Sequence, residues 1–179
     1  MAAPGGLRMM PRPTLRPATV KDAASLAGVA RATFTETFGT LYSAADLATF
    51  LEQHTPEDWA REVADPAYAV QIVEMGHVAV GYIKLGPPKL PFTPPEGAIE
   101  LRQFYLLQPW QGSGLGPEMM EWALAEARAR GHQAMYLSVF TDNHRARRFY
   151  AKYGFEDVGP YEFMVGGHAD EDIVMRRTL

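Results

Sequence analysis

The stretch AIELRQFYLLQPWQGSGLGPEMMEWALAEARARG, residues 98–131, decides the fold of this chain. It opens with apolar and aromatic residues that are typical of a strand. It closes with PEMMEWALAEARARG, which places apolar side chains at helical spacing and ends at a glycine, as helices commonly do. The loop QGSGLG, residues 111–116, joins the two parts. A glycine-rich loop between a strand and a helix predicts a site for a bound anion.

The chemistry of that loop follows from the start of the helix. The first backbone N–H groups of a helix have no partner within it, and the helix dipole adds partial positive charge there. Gly112, Gly114 and Gly116 carry no side chain, so successive amides can converge on a phosphate or pyrophosphate. Taken alone, the loop fits an ordinary glycine-rich turn equally well.

Three anion-binding patterns compete for these glycines. A nucleoside-triphosphate loop needs a Lys-Ser or Lys-Thr pair after the last glycine, and none follows. A dinucleotide loop needs a third glycine where Pro117 stands, although Asp142 offers a ribose ligand. An NAD-binding oxidoreductase therefore remains an alternative. The presence of only one complete β-α-β unit argues against it, because the dinucleotide-binding fold ordinarily uses two halves. The pattern left is Q-x-x-G-x-G, formed by Gln111, Gly114 and Gly116.

The rest of the sequence predicts one mixed α/β domain over residues 14–179, preceded by a disordered lead-in at residues 1–13. Ser43 is suited to cap a second helix and Pro56 to stop it. Five prolines in GPPKLPFTPPEG, residues 86–97, exclude a strand and leave either a substrate flap or a stiff connector. The predicted strands are TLRPAT, the hairpin YAVQIVEMGHVAVGYIKLG, AMYLSVFT and a final pair after Gly154.

Composition narrows the class of protein. The 179 residues are 47% apolar, enough for one buried core. A formal net charge of -4 argues against nucleic acid as the main partner. The absence of cysteine excludes disulfides and cysteine nucleophiles, and the histidines have no metal-ligand spacing. Because no run resembles a membrane span or a secretion signal, we expect no membrane partner and a cytoplasmic protein.

A second motif lies downstream of the glycine loop. NHRARRFYAKYGF, residues 143–155, matches N-x-x-A-x-x-F-Y-x-x-x-G-F. Together with Q-x-x-G-x-G, it resembles the GCN5-related N-acetyltransferases (GNAT), and the resemblance covers the chain from about Thr14 to Arg176. Within that superfamily the sequence is most similar to the bacterial PaiA-type polyamine N-acetyltransferases. The stretches that carry this similarity are ATFTETFGTLY, GYIKL, IELRQFYLLQPWQGSGLG and DEDIVMRRTL.

The resemblance implies a fold and a co-substrate. The fold would be a single α/β (α+β) domain whose mixed sheet of six to seven strands has helices on both faces. The co-substrate would be acetyl-CoA, with no metal. By resemblance, backbone groups near Tyr105, Leu106 and Leu107 bind the pantetheine arm and thioester, and Asn143 contacts the CoA arm. The basic residues near this last helix are candidates for the terminal CoA phosphate, and Lys152 is chosen among Arg145, Arg147, Arg148 and Lys152; the alternative is a solvated face. The residues implied at the pyrophosphate are Gln111, Gly112, Ser113, Gly114, Leu115 and Gly116.

Two residues are implied in catalysis. Tyr150 matches the family tyrosine near the sulfur, where a phenol can protonate the leaving thiolate; the alternative is that it only packs the last helix on the sheet. Glu100 lies where related enzymes place a carboxylate that deprotonates the amine, directly or through water. Its alternative is a strand carboxylate paired with Arg102 on the same face. Asn143 likewise suits a helix cap.

The sequence thus predicts acetyl transfer from acetyl-CoA to a primary amine of a small molecule, with a polyamine favoured. Two alternatives stay open: a regulatory module that binds acyl-CoA without turnover, and acetylation of a protein or peptide amine. Homodimers occur widely in the family, although no residue here requires one.

Overall fold

A computed structural model describes residues 11–179. Of the predicted lead-in, residues 1–13, only residues 11–13 are therefore among the described residues. Short 3-10 turns lie at Val20–Asp22 and Gln108–Trp110. The helices and strands are β1 Thr14–Pro17, α1 Ala23–Phe38, α2 Ala44–Leu51, α3 Pro56–Ala64, β2 Ala69–Met75, β3 Val78–Gly86, β4 Ala98–Leu106, α4 Leu115–Ala129, β5 Ala134–Phe140, α5 His144–Lys152, β6 Glu156–Val165 and β7 His168–Thr178.

The described strands form one 7-stranded sheet in the order β1-β2-β3-β4-β5-β7-β6. Only β4 and β5 are parallel neighbours; every other pair is antiparallel. One face packs on α4 and on Tyr150 of α5, and the other packs on α1 and on Trp59 of α3. The predicted mixed sheet with helices on both faces is confirmed.

The sheet opens in its middle, between β4 and β5. The two strands pair only at Ala98–Ala134, Ile99–Met135 and Glu100–Tyr136. Beyond Glu100, β4 stays with β3 as far as Leu106, while β5 stays with β7 as far as Phe140. The two strands diverge, so one edge of each has no neighbouring strand over its second half. Backbone N–H and C=O groups along such edges are available to a ligand.

An extra residue in β4 marks the start of this opening. Lys84 and Leu85, adjacent in β3, pair with Gln103 and Leu101, so Arg102 has no partner. A bulge of this kind bends a strand and increases its twist. The bulge therefore turns the second half of β4 away from β5.

Local signals explain most of the helix boundaries, with one correction. The Ser43 side chain accepts a hydrogen bond from the Asp46 N–H, which confirms the predicted cap of α2. Pro56, however, does not stop α2, which ends at Leu51. Pro56 instead opens the separate helix α3, behind the cap residue Thr55. Proline is well tolerated at this position because the first N–H groups of a helix have no helical acceptor.

Candidate active site

A cleft of about 860 Å³ runs through the opening between β4 and β5 and reaches both faces of the sheet. The two diverging strands border the middle of the cleft. The glycine loop and α5 form its wall on one face of the sheet, and α1, β6 and β7 form its wall on the other face. Most of the residues predicted for the site meet here. Those that line the cleft are Glu100, Tyr105, Leu106, Gln111, Gly112, Gly114, Gly116, Asn143 and Tyr150.

Four predicted residues do not line the cleft. The Leu107 N–H donates to the Val80 carbonyl at 2.9 Å. The Leu115 side chain is buried in the core, and the Ser113 hydroxyl donates to the Trp110 carbonyl. Lys152 is exposed and borders a separate depression with Arg176.

The position of Lys152 has a simple cause. Side chains two residues apart on a helix point in nearly opposite directions, because each residue is rotated by roughly 100° about the helix axis. Tyr150 faces the cleft, so Lys152 faces away from it. Arg145 is the basic residue of α5 that lines the cleft, and sequence reasoning passed over it in favour of Lys152.

Backbone conformation explains the glycines of the loop. Gly112 and Gly114 have φ values of 78° and 87°, in the left-handed region that residues with a Cβ avoid. Gly114 is the residue before α4, so its conformation turns the chain into the first helical turn. Gly116 needs no positive φ, and a Cβ there would meet Phe149 at an ordinary 3.7 Å. The loop thus presents its amides at a helix N-terminus, as an anion requires.

Gln111 links the two sides of the opening. Its Nε2 donates to the Leu106 carbonyl at 2.9 Å, and its Oε1 accepts from Arg145 Nη1 at 2.8 Å. The side chain therefore ties the end of β4 to α5. This contact explains a glutamine at the first position of the loop better than a direct bond to an anion does.

Tyr150 lies in an aromatic cluster on the α5 side of the sheet. Its ring centroid is 6.3 Å from that of Phe104 and 5.9 Å from that of Phe155. Burial, followed by the nearby Tyr105, raises the pKa of Tyr150 above its usual value. The phenol therefore stays protonated at neutral pH, as a proton donor must be before the reaction. Asn143 caps the same helix, because its Oδ1 accepts from the Ala146 N–H at 3.2 Å.

Glu100 is buried and already has partners. Its Oε2 accepts from the Lys89 N–H at 2.7 Å and lies 3.6 Å from Arg102 Nε, the neighbour expected from strand alternation. Burial raises the pKa of Glu100, while Lys89 and Arg102 lower it. These contacts hold the proline-rich loop, residues 86–97, against β4. A role as general base stays a prediction.

Two aspartates that sequence reasoning missed line the other side of the cleft. Asp170 and Asp172 on β7 are 6% and 7% exposed. Asp170 accepts a hydrogen bond from the Tyr42 hydroxyl. Burial, then the charge of Asp170, raises the pKa of Asp172 to about 7, although Ser138 lowers it. Strand alternation was the available signal, since residues 170 and 172 share a face while Glu171 points to the opposite one.

Aromatic rings surround the two aspartates. Asp170 lies opposite Phe163 and Asp172 opposite Tyr161 in the β6–β7 register, and both rings line the cleft. Tyr42 completes this wall. Aromatic faces and buried carboxylates both attract organic cations, so this half of the cleft suits an ammonium group.

Two further features were sought within residues 11–179. No group of three or more His, Asp or Glu side chains is placed to hold a metal ion. No helix in this part of the chain has the length and apolar character needed to cross a membrane.

Comparison with known proteins identifies the class of protein. Residues 30–155 match the model of the acetyltransferase (GNAT) family. The chain is similar to an uncharacterized N-acetyltransferase of Mycobacterium tuberculosis, at 32% identity over 159 residues that span 88% of this chain and 98% of the relative. The chain therefore belongs to the GNAT acetyltransferase family. It is an enzyme, an N-acetyltransferase, and the alternative of an NAD-binding oxidoreductase is wrong.

Two other proteins are also similar, one in its fold and one over part of the sequence. The crystal structure of a PaiA N-acetyltransferase from Thermoplasma acidophilum in complex with coenzyme A shares the fold, with a TM-score of 0.75, 18% identity and coverage of 94% of this chain and 99% of that one. The spermine/spermidine N(1)-acetyltransferase of Bacillus subtilis is 35% identical over 69 residues, which span 37% of this chain and 45% of that protein.

Proposed function

We propose that this enzyme transfers the acetyl group of acetyl-CoA to a primary amine of a small organic cation, with a polyamine favoured. One observation carries the proposal: a single cleft passes through the opened sheet. The glycine loop and Tyr150 lie on one face, and the buried Asp170 and Asp172 lie on the other. A donor and an acceptor can therefore meet at the opening from opposite sides.

The residues on the α5 side fit acetyl-CoA. The amides of the glycine loop at the start of α4 suit its pyrophosphate, and Arg145 adds a positive charge. The unpaired edge of β4 offers N–H and C=O groups to the amide-containing pantetheine arm, as a strand edge does to an added strand. When bound, acetyl-CoA supplies an activated acetyl group. We assign to Tyr150, which is buried and lines the cleft, the proton that the departing sulfur receives.

The residues on the β7 side fit a cationic acceptor. Two buried carboxylates with aromatic neighbours favour a ligand that carries ammonium groups. A polyamine has several such groups joined by apolar methylene chains, and this combination matches the mixed lining of the cleft. The names of the Bacillus and Thermoplasma proteins point in the same direction.

The direct test is the release of CoA thiol from acetyl-CoA at pH 8. The acceptor panel contains spermidine, spermine, an aminoglycoside and a peptide with a free N-terminus, and a reaction without amine measures hydrolysis. Saturable turnover with a polyamine supports the proposal, whereas turnover on the peptide alone favours a protein acceptor. Thermal stabilisation by acetyl-CoA with no turnover on any of these amines contradicts a polyamine acceptor.

A further inference from the structure

We propose that Asp172 is the general base that removes a proton from the ammonium group of the acceptor. The inference rests on the proposed function and deepens it by naming the residue that makes the amine nucleophilic. It places the base and Tyr150, the proton donor, on opposite faces of the opened sheet.

Among the carboxylates that line the cleft, Asp172 is the one left without a cation or a backbone donor. Asp58 and Glu62 bind Arg61 and Lys84. Glu100 binds the Lys89 N–H and Arg102. Within the described part of the chain, no Lys, Arg or His lies within ion-pair distance of Asp172. Ser138 on the neighbouring strand β5 only partly offsets the rise in the pKa of Asp172 that burial and Asp170 cause.

Asp170, its neighbour on the same strand face, is engaged by protein groups. The Tyr42 hydroxyl donates to its Oδ2, and His168 Nε2 lies 3.3 Å from its Oδ1. A buried carboxylate without a charged partner is costly. Asp172 is 7% exposed and lines the cleft, so a cationic ligand there is a partner that the fold itself does not provide.

Asp172 also lies close to the position of acetyl transfer. It pairs with Phe140 at the end of β5, where that strand borders the opening. Burial is the main cause of the raised pKa values of Tyr105 and Tyr150; the charge of Asp172 adds to the first rise, and Tyr105 adds to the second. Tyr105, Tyr150 and Asp172 all line the cleft, so an amine beside Tyr105 can lie between Asp172 and the donor.

The surroundings give Asp172 the basicity that the step requires. The ionisable groups packed around it are Asp170 on β7, Tyr105 on β4, Tyr161 on β6 and, through Asp170, Tyr42 and His168. Burial and Asp170 raise the pKa of Asp172 to about 7. An alkylammonium group has a pKa of about 10.4, so this carboxylate accepts its proton far more readily than an ordinary aspartate does.

The proton transfer balances as follows. An N–H bond of the ammonium group breaks, an O–H bond forms on Asp172, and the nitrogen keeps the electron pair that attacks the acetyl carbonyl carbon. As the C–N bond forms and the C–S bond breaks, Tyr150 gives its proton to the sulfur. The second nitrogen proton then restores the Tyr150 phenol, and the proton on Asp172 passes to solvent.

The test compares Asp172→Asn with the wild type from pH 6 to pH 10, using the amine that the wild type acetylates. We expect wild-type kcat/KM to rise through an inflection near pH 7. Asp172→Asn should be about 10²-fold slower at pH 7, lack the inflection and recover as free amine accumulates above pH 9. A variant that keeps the wild-type inflection and rate overturns the proposal. A wild type that acetylates no amine overturns the proposed function itself.

Asp170→Asn is the matched control, because it removes one buried charge from the same strand face. We expect it to raise KM for the amine and to keep an inflection, moved to lower pH since the charge of Asp170 no longer raises the pKa of Asp172. Loss of the inflection in Asp170→Asn but not in Asp172→Asn would assign the base to Asp170 instead.

Thermal unfolding without substrates checks the protonation of Asp172 independently of activity. A carboxyl whose pKa is higher in the folded than in the unfolded protein destabilises the fold as pH rises through that interval. Asp172→Asn should therefore have a higher Tm than the wild type at pH 8, and the difference should vanish near pH 4. Equal Tm values at both pH values would show that Asp172 is an ordinary carboxylate and overturn its role as base.

Discussion

At the scale of single residues, Tyr150 supports the sharpest prediction. Tyr150→Phe keeps the ring in its aromatic cluster and removes only the proton donor, so kcat should fall by about 10²-fold while Tm stays nearly unchanged. Steady-state kinetics and thermal unfolding measure the two effects. Because burial raises the pKa of Tyr150, ionisation of this phenol should not lower the activity of the wild type between pH 8 and pH 10.

Tyr153→Phe is the control for this variant. Tyr153 lies on the same side of the core at the end of α5 but does not line the cleft. Normal kcat in Tyr150→Phe, or an equal loss in Tyr153→Phe, would remove the phenol of Tyr150 from the reaction.

The second residue-scale prediction concerns Gly114. Valine at a φ of 87° is strained by about 1–2 kcal/mol, so the loop should leave the conformation that points its amides at the pyrophosphate. We expect Gly114→Val to weaken acetyl-CoA binding at least tenfold, measured by titration calorimetry. Gly131→Val, at a φ of 81° beyond the end of α4, imposes the same strain away from the cleft. Equal affinity in the two variants would contradict a role for the loop.

Compact motifs explain which site residues were visible in the sequence. Gln111, Gly114 and Gly116 lie within six residues, and Asn143 caps the short helix that carries Tyr150. Asp172 lies in the stretch DEDIVMRRTL, but that stretch did not reveal its role, because its place in the cleft depends on how β7 is inserted between β5 and β6. Lys152 was chosen over Arg145 because sequence alone did not show which side of α5 faces the cleft.

At the scale of the elements, Arg16 holds the start of the chain to the sheet. Its guanidinium donates to Asp22 Oδ1 at 2.7 Å and to Glu74 Oε2 at 2.8 Å, which joins β1 to the turn before α1 and to β2. Arg16 lowers the pKa of Asp22 below its usual range. The carboxylate therefore stabilises the fold above the ordinary pKa of an aspartate, and that contribution is lost as pH falls below it.

Asp22→Asn should accordingly lower the free energy of unfolding by about 1 kcal/mol at pH 7, a modest value because Arg16 is partly exposed. The difference from wild type should begin to shrink below about pH 4, where the unfolded chain takes up a proton that native Asp22 does not, and it should be smaller at pH 3 than at pH 7. Urea unfolding at the two pH values measures it. Glu118→Gln, which breaks the more exposed pair with Arg12, should have little effect at either pH. A loss in Asp22→Asn that is as large at pH 3 as at pH 7 would show that packing, not charge, is responsible.

Secondary structure was predictable wherever a local signal sets it. Ser43 marks a cap, and Gly76, with a φ of 63°, turns the hairpin between β2 and β3. The opening between β4 and β5 was not predictable, because it depends on a bulge at Arg102 that requires knowledge of the partner strand. Apolar alternation assigns residues to a face of a strand but does not show where two strands part.

At the scale of the whole molecule, acetyl-CoA should stabilise the fold by mass action. At one hundred times its Kd, a ligand that binds only the native state adds about 2.7 kcal/mol. For a chain of this size that is a rise of roughly 5–10 °C in Tm, measurable by differential scanning fluorimetry. Gly114→Val should show a clearly smaller rise. An unchanged wild-type Tm at saturating acetyl-CoA would contradict binding in the cleft.

The short pairing of β4 with β5 has a consequence for the lifetime of the protein in a cell. The half formed by β1–β4 and the half formed by β5–β7 share a strand interface only at Ala98–Ala134, Ile99–Met135 and Glu100–Tyr136. A seam with so few backbone hydrogen bonds leaves side-chain packing as the main barrier to local opening, and proteases cleave opened states. A donor that spans the seam suppresses that opening, so the abundance of the enzyme should follow the supply of its own substrate.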